Sequence, residues 1–323
     1  MSKKSDHGLW FDDECDEYRI HRAALKGPDL FNEKSQYQRI QIKDTVEYGR
    51  MLALDGSPQS AEADERIYHE SLVHPAGVLL REPPKDILIL GGGEGATARE
   101  ALRYKNARRV ITVDIDEVVV EAAREYLSSM RKGADGDPRS RFFIGDAKEF
   151  LESQQEFSMA FNHPMFAFDL IVSDISDPFN YVQDRPEQGR MGDPEGENVA
   201  ARCYTPEFFK MMVGRLQPHG IFVMQSQELS RVVWQGHKKH REMLRGFFKY
   251  VYSYRRYVPS FNYEQSFILA SNAEISNPSV LQPQIVDYLI KERISGNLEE
   301  FSGDMFCHMF ALSPDLKKKL EIS

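Results

Sequence analysis

Cysteine is scarce in this chain. There are three in 323 residues, Cys15, Cys203 and Cys307, far apart and with no C-x-x-C pair. An odd number at such spacings argues against a disulfide framework or a thiolate zinc site and fits small packed residues in a reducing compartment. Long apolar runs are missing too: nothing approaches the roughly 20 residues that a membrane-spanning helix needs. The N-terminal Met-Ser-Lys-Lys-Ser-Asp-His has no apolar signal core. The expectation is a cytoplasmic protein with no membrane partner. Nor is there an excess of positive charge: 41 Lys and Arg face 50 Asp and Glu, a net charge of −9. That argues against nucleic acid as a partner and is compatible with a cationic small substrate. There are no internal repeats. No histidine pair has zinc-protease spacing. His69 and His74 stand at i and i+5, about 140° apart on a helix, whereas H-E-x-x-H needs i and i+4. His237 and His240, in a Lys-rich helical stretch, read as a solvated face. No metal is expected.

What is there centres on Lys85 to Asp116. Asp86 to Leu90 is an apolar, branched run between Pro83-Pro84 and glycines, as for a strand buried on both faces. Gly91, Gly92, Gly93 and Gly95 make a tight turn where backbone can approach a ligand closely. From Ala96 the spacing turns helical, and Arg109 to Ile115 reads as a second strand with Asp114 near its end. A strand, glycine loop, helix and strand with an acid roughly 20 residues after the loop form the nucleoside-binding half of a doubly wound sheet. Gly91-x-Gly93-x-x-Ala96 would also pass as a dinucleotide fingerprint, but Glu94 would repel a pyrophosphate at a helix N-terminus. The same carboxylate suits an adenosine bearing cationic groups and no phosphate, with Asp114 accepting from ribose hydroxyls.

Around this unit the first 35 residues are polar and read as a mobile or edge segment. Gln36 to Lys43 and Val46 to Leu54 alternate as strands, with a turn at Asp44-Thr45. Leu54 to Ser60 is turn-rich, and Asp64 to Glu70 is helical. Asp116 can cap a helix reaching about Met130. A third strand, Arg141 to Ile144, ends at Gly145-Asp146-Ala147, where an acid can meet an adenine amino group. A fourth, Asp169 to Ser173, leads into Asp174-Ile175-Ser176-Asp177-Pro178, two carboxylates in the crevice where such sheets bind ligands. Phe179 to Arg202 lacks periodicity and reads as a lid beside that crevice. Thr205-Pro206 starts a helix; strands at Ile221 to Gln227, Tyr250 to Val258 and Phe267 to Ala270 and a helix from Gln235 to Phe248 follow. The expected fold class is α/β, a Rossmann-like doubly wound sheet of the class I methyltransferase type with a small N-terminal antiparallel β domain. Residues 1–80 are expected to hold the N-terminal segment and hairpin domain, and residues 81–323 the catalytic domain.

In combination, Leu54-Asp55-Gly56 with Gln59, Asp64-Glu65 with Tyr68-His69-Glu70, Gly91-Gly92-Gly93-Glu94-Gly95, Gly145-Asp146 and Asp174-x-x-Asp177-Pro178 resemble the polyamine aminopropyltransferases, the spermidine, spermine and thermospermine synthases, over about residues 35 to 320. The resemblance implies transfer of a 3-aminopropyl group from decarboxylated S-adenosylmethionine, a co-substrate, to a polyamine, with release of 5′-methylthioadenosine. It implies Asp174 as acid–base residue, Asp177 as amine ligand, and Tyr68 and His69 lining the amine site. Gln38 and Asp114 would hold the nucleoside on the loop Gly91, Gly92, Gly93, and Asp146 with Ala147 would read the adenine. Glu94 takes the place of an aspartate that grips the aminopropyl ammonium. A homodimer or homotetramer is implied as well. Glu94 for Asp, Asp114 for Glu, Val258-Pro259-Ser260-Phe261 for a Thr-Tyr sequence, and the Phe179–Arg202 insertion depart from typical spermidine synthases; Glu94, the Asp-x-Asp pair and Val258-Pro259-Ser260-Phe261 bring the chain closer to the thermospermine branch. That favours an acceptor longer than putrescine. The rival readings are a methyltransferase using intact S-adenosylmethionine, which Glu94 disfavours, and a non-catalytic polyamine or nucleoside binder, which the Asp174–Asp177 pair disfavours.

Overall fold

The computed structural model describes residues 8–16, 19–153, 167–177 and 199–322. The segment read as a lid falls largely outside these. The start of the chain, expected as a mobile or edge segment, forms strands: β1 (Trp10–Asp16), β2 (Arg19–Ala24) and β3 (Phe31–Lys34). Their outer faces mix charged residues with the exposed Trp10 and Ile20, while Phe11 is buried against Met51, Ala53 and Ala61. β3 pairs with β4 (Arg39–Thr45), β5 (Gly49–Leu54) and β6 (Ser57–Ala61) in a four-stranded antiparallel sheet. The first turn lies after Thr45, not at Asp44-Thr45. Thr45 Oγ1 donates to the Gly49 carbonyl and accepts from the Tyr48 amide, which lets β4 run on to Thr45. The stretch expected to be turn-rich contains a tight reversal at Asp55-Gly56, both at positive φ, before β6 begins.

The central sheet has seven strands. β7 (Asp86–Gly91), β8 (Arg109–Asp114), β9 (Ser140–Ile144), β10 (Phe168–Asp174) and the paired part of β11 (Leu216–Glu228) run parallel; β12 (Tyr250–Val258) and β13 (Tyr263–Ser271) add an antiparallel edge. The order is β12-β13-β11-β10-β7-β8-β9. Strand alternation divides the core. Ile87, Ile89, Leu170 and Val172 face one layer, and Leu88, Leu90, Ile171 and Phe222 face the other.

The first layer holds α1 (Glu65–Leu79), α2 (Ala96–Leu102), α7 (Pro283–Arg293) and α8 (Gly303–Phe310). The second holds α4 (Ala147–Glu152), α5 (Pro206–Val213) and α6 (Gln235–Arg245). A last helix, α9 (Pro314–Lys319), packs its Leu316 with Leu229 and Leu312. α3 runs from Glu117 to Tyr126, a turn shorter than expected, and packs Val119 and Ala123 on Ile40 and Ile42 of the N-terminal sheet. Pro75 inside α1 lacks an amide, and the Ser71 carbonyl four residues earlier instead accepts from the Tyr254 hydroxyl at 3.0 Å.

His237 and His240 are not on a solvated face. Both are fully buried, His237 between Ser253 and Ser266 and His240 on Ser226, and burial pushes their pKa values down to about 3 and about 4. The Lys-rich surface of α6 is its other face.

Candidate active site

β7 and β10 end side by side, with Gly91 and Asp174 paired in register. Here the sheet changes direction, toward β8 and β9 on one side and β11 on the other, and such a switch point is where doubly wound sheets take ligands. The glycine loop is shaped by close approach within the chain. Gly91 has φ +81°, and a Cβ there would lie 2.3 Å from the Asp174 carbonyl; one at Gly93 would lie 2.7 Å from Asp114 Oδ2. The loop thus lies directly against both acids.

Asp174 accepts from the Tyr68 hydroxyl on Oδ1 at 2.6 Å and from Thr97 Oγ1 on Oδ2. Tyr68 comes from α1 and Thr97 from the first turn of α2, so three elements converge on one carboxyl. Burial, and next the Glu94 charge, push its pKa up to about 6, against His69 and the two hydroxyl donors, which pull it down. Tyr68 itself is packed edge-on against Phe261 and His69, and its phenol is held far above its ordinary value by burial and by Asp174.

Glu94 is paired. Its Oε1 meets His69 Nε2 at 2.8 Å, and His69 Nδ1 meets the Glu65 carbonyl at 2.7 Å and Glu65 Oε2 at 3.0 Å. Every partner of the ring is an acceptor, so both ring nitrogens carry protons. Among the described residues, His69, Glu94 and Asp174 bring ligand-type atoms within 4.8 Å of one another. A metal there would have to displace the His69 proton. Behind Glu65, Arg99 grips both carboxylate oxygens at 2.8 and 2.7 Å and passes on to Glu100, which meets His74 at 3.0 Å.

Asp114 accepts from the Gly93 amide at 2.8 Å and the Asp116 amide at 2.9 Å; burial first, and the Glu94 charge, push its pKa up to about 6. Gln38 reaches this end of the sheet through Asp116, whose Oδ2 accepts from Gln38 Nε2 at 2.9 Å and from Ser35 Oγ at 2.7 Å. Asp146 caps α4 through Oδ1, ahead of Ala147, and pairs with Arg202 at 3.0 Å through Oδ2. Asp177 Oδ1 accepts from Gln225 Nε2 at 2.8 Å, and Gln225 is also bonded to the Ile175 carbonyl. Asp174, Tyr68, Thr97, His69, Glu94 and Asp114 therefore form one connected group. Asp177 is held on the β11 side, and Asp146 at the end of β9.

Reading the sequence missed Thr97, Glu65, Asp116 and Gln225 as members of this neighbourhood, and also Tyr204, whose hydroxyl donates to the Ile175 carbonyl at 3.2 Å and accepts from Gln225 Nε2 at 3.2 Å. Thr97 lies between two alanines and looks like helix filler. Gln225 begins the polar run Gln225-Ser226-Gln227 at the end of an apolar strand, and only the structure shows it buried.

Residues 65–188 match the Spermine/spermidine synthase domain family, and residues 9–62 match the Spermidine synthase tetramerisation domain family. The polyamine aminopropyltransferase of Sulfolobus acidocaldarius is 35% identical over 308 residues, 94% of this chain and 90% of that protein. The chain belongs to the polyamine aminopropyltransferases. Polyamine aminopropyltransferase 2 of Pseudomonas aeruginosa is 33% identical over 301 residues, 93% of this chain and 76% of that one. Among solved structures, a spermidine synthase in complex with the transition state analogue AdoDATO superposes with a TM-score of 0.80 at 24% identity, covering 98% of this chain and 97% of that chain. That likeness carries the fold: a Rossmann-like α/β sheet with small N-terminal antiparallel sheets. No helix among the described residues is long and apolar enough to cross a membrane.

Proposed function

We propose that the chain moves a 3-aminopropyl group from decarboxylated S-adenosylmethionine to a polyamine, with Asp174 as proton acceptor and spermidine used at least as well as putrescine. An amine of pKa near 10.4 is almost wholly protonated at pH 7, so exposing its lone pair costs roughly 4–5 kcal/mol. The attacking nitrogen forms a bond to the methylene beside the sulfonium. The carbon–sulfur bond breaks with its electron pair going to sulfur, leaving neutral 5′-methylthioadenosine. The ammonium proton passes to the Asp174 carboxylate. The observation that supports this reading is the placement of Asp174 at the β7–β10 switch point, between two hydroxyl donors and next to the Glu94–His69 pair.

In this reading Asp114 faces the ribose, with Gln38 and Gly91 to Gly93 on the nucleoside and Asp146 with Ala147 on the adenine. Tyr68, His69, Glu94 and Asp177 line the amine and aminopropyl side. Two cationic substrates then meet a site where one imidazolium stands against the carboxylates Glu94, Asp114, Asp174 and Asp177, which favours their close approach. The co-substrate is consumed, and no resident cofactor is required. The match of residues 9–62 supports assembly of copies into a homodimer or homotetramer; Trp10 and Ile20 of the β1–β2 hairpin are 53% and 62% exposed and suit such a contact.

Mass spectrometry of products from decarboxylated S-adenosylmethionine with putrescine, agmatine and spermidine tests the proposal. The expected products are 5′-methylthioadenosine and an amine enlarged by one aminopropyl unit. Methylated product from intact S-adenosylmethionine, with none from the decarboxylated form, would overturn it in favour of methyl transfer.

A further inference from the structure

His69 is 1% exposed, and burial alone would drive its ring neutral. Its surroundings act the other way. Glu65 from its own helix and Glu94 from the glycine loop each offer a carboxylate oxygen, at 3.0 and 2.8 Å. Tyr68 lies edge-on with ring centres 4.9 Å apart. Asp174 on β10 and Asp64 at the head of α1 are the further acids that interact with its charge. The two carboxylates win over burial and raise the ring's pKa to about 10.

Glu65 is itself held. Arg99 donates Nη1 to Oε1 and Nη2 to Oε2; Nη1 also donates to the Met130 carbonyl, and Nε donates to Glu100. This two-point fork fixes the carboxylate plane, so that Oε2 is shared between the guanidinium and the imidazole. Arg66 adds a looser contact at 3.9 Å. The result is a buried row of alternating charge, Glu94, His69, Glu65, Arg99, Glu100, only one end of which reaches the crevice.

We infer that Glu65, gripped by Arg99, is a positioning residue of the transfer reaction: it keeps His69 doubly protonated with Nε2–H on Glu94, and so fixes the Glu94 carboxylate beside Asp174. This rests on the function proposed above. A held imidazolium serves a site for two cations. It counters Glu94 enough to keep Asp174 ionised, since the Glu94 charge pushes that acid toward its protonated form and His69 opposes it. It also disfavours a protonated nitrogen close by, so the attacking amine is pressed to give up its proton.

The full-length protein, labelled with 15N-histidine, provides the test. The His69 ring signals, assigned by their loss in His69→Asn, should show both nitrogens protonated through pH 8 in the unmodified protein. In Glu65→Gln the midpoint should fall by about two units. The donor KM should rise about tenfold, because a charged hydrogen bond has been lost from a binding group, and kcat should fall more at pH 6 than at pH 8.5, because Asp174 loses the charge that keeps it ionised. Glu65→Asp should restore most of the shift. A His69 ring that titrates near its ordinary value in the unmodified protein overturns the inference without any variant. An unchanged midpoint and KM in a folded Glu65→Gln does the same. Ring titration needs no turnover, so its failure is distinguishable from failure of aminopropyl transfer in the amine panel.

Discussion

Asp174 Oδ1 accepts a 2.6 Å hydrogen bond from the Tyr68 hydroxyl, which ties the end of β10 to the first turns of α1. This bond favours the carboxylate, and with Thr97 it opposes the burial that lifts Asp174 to about 6. Removing it in Tyr68→Phe should raise that pKa further. A proton acceptor works only when ionised, so the acid limb of kcat/KM should move to higher pH. Activity should fall more at pH 6 than at pH 8.5, and pH profiles of the two proteins check this. An equal loss across the range would reduce Tyr68 to a packing role.

Asp174→Asn keeps size and shape but cannot take a proton. The fold and nucleoside binding should persist while kcat drops about 10²–10⁴-fold, the range expected for a positioned general base. Single-turnover rates with saturating donor measure the effect. Near-normal turnover would show Asp174 to be only a turn residue.

Asp114 and Asp174 are both raised from 3.8 to about 6. A raised carboxyl stabilises the fold most below its unfolded value, and this contribution is lost as pH rises through about 6. The ligand-free protein should therefore lose part of its stability between pH 4 and pH 7. A cationic donor binds the ionised forms better, so the rise in Tm on adding decarboxylated S-adenosylmethionine should be larger at pH 7.5 than at pH 5. Thermal unfolding at both values tests this, and equal rises would refute the linkage.

Glu70, beside the two site residues of α1, has a different task. It is fully buried and accepts from the amides of Glu299, Glu300 and Phe301 at 3.1, 2.9 and 2.9 Å. Glu70→Ala would strand three amides and should cost about 3 kcal/mol in denaturant unfolding, by the usual penalty for unsatisfied buried groups. A loss below about 1 kcal/mol would mean that water replaces the carboxylate.

Much of this was legible because local and tertiary preferences agree. The run from Asp86 to Asp116 has one pattern per element, and each acid expected at a strand end lies there: Asp114, Asp146 and Asp174. The β1–β2 hairpin was not legible, since Trp10–Asp16 and Arg19–Ala24 carry no strand alternation and its buried residues are few. The Asp116 bridge to Gln38 was also hidden. A capping acid is expected to serve its own helix, and Asp116 does cap Val118, but its second oxygen reaches across 78 positions to Gln38. Charge ladders such as that behind His69 escape pattern reading because their members sit on different elements and meet only after folding.

The expectation for the acceptor rests on a neighbour of the Tyr68 ring. Phe261 lies edge-on to it with ring centres 5.8 Å apart, in a turn fixed by Asp64, which accepts from the Ser260 amide at 2.6 Å and the Ser260 hydroxyl at 2.9 Å. The aromatic is thus firmly placed but lacks the hydroxyl that a tyrosine would offer to an amine nitrogen. A pocket without that fixed polar contact discriminates less sharply for a short diamine. Spermidine should be used at least as well as putrescine. Phe261→Tyr should shift the ratio of kcat/KM toward putrescine by about tenfold, as one added hydrogen bond to a substrate amine would. Steady-state kinetics with putrescine, agmatine and spermidine decide the matter. A strong putrescine preference in the unmodified enzyme would overturn the expectation for the acceptor, and leave donor and proton acceptor as argued.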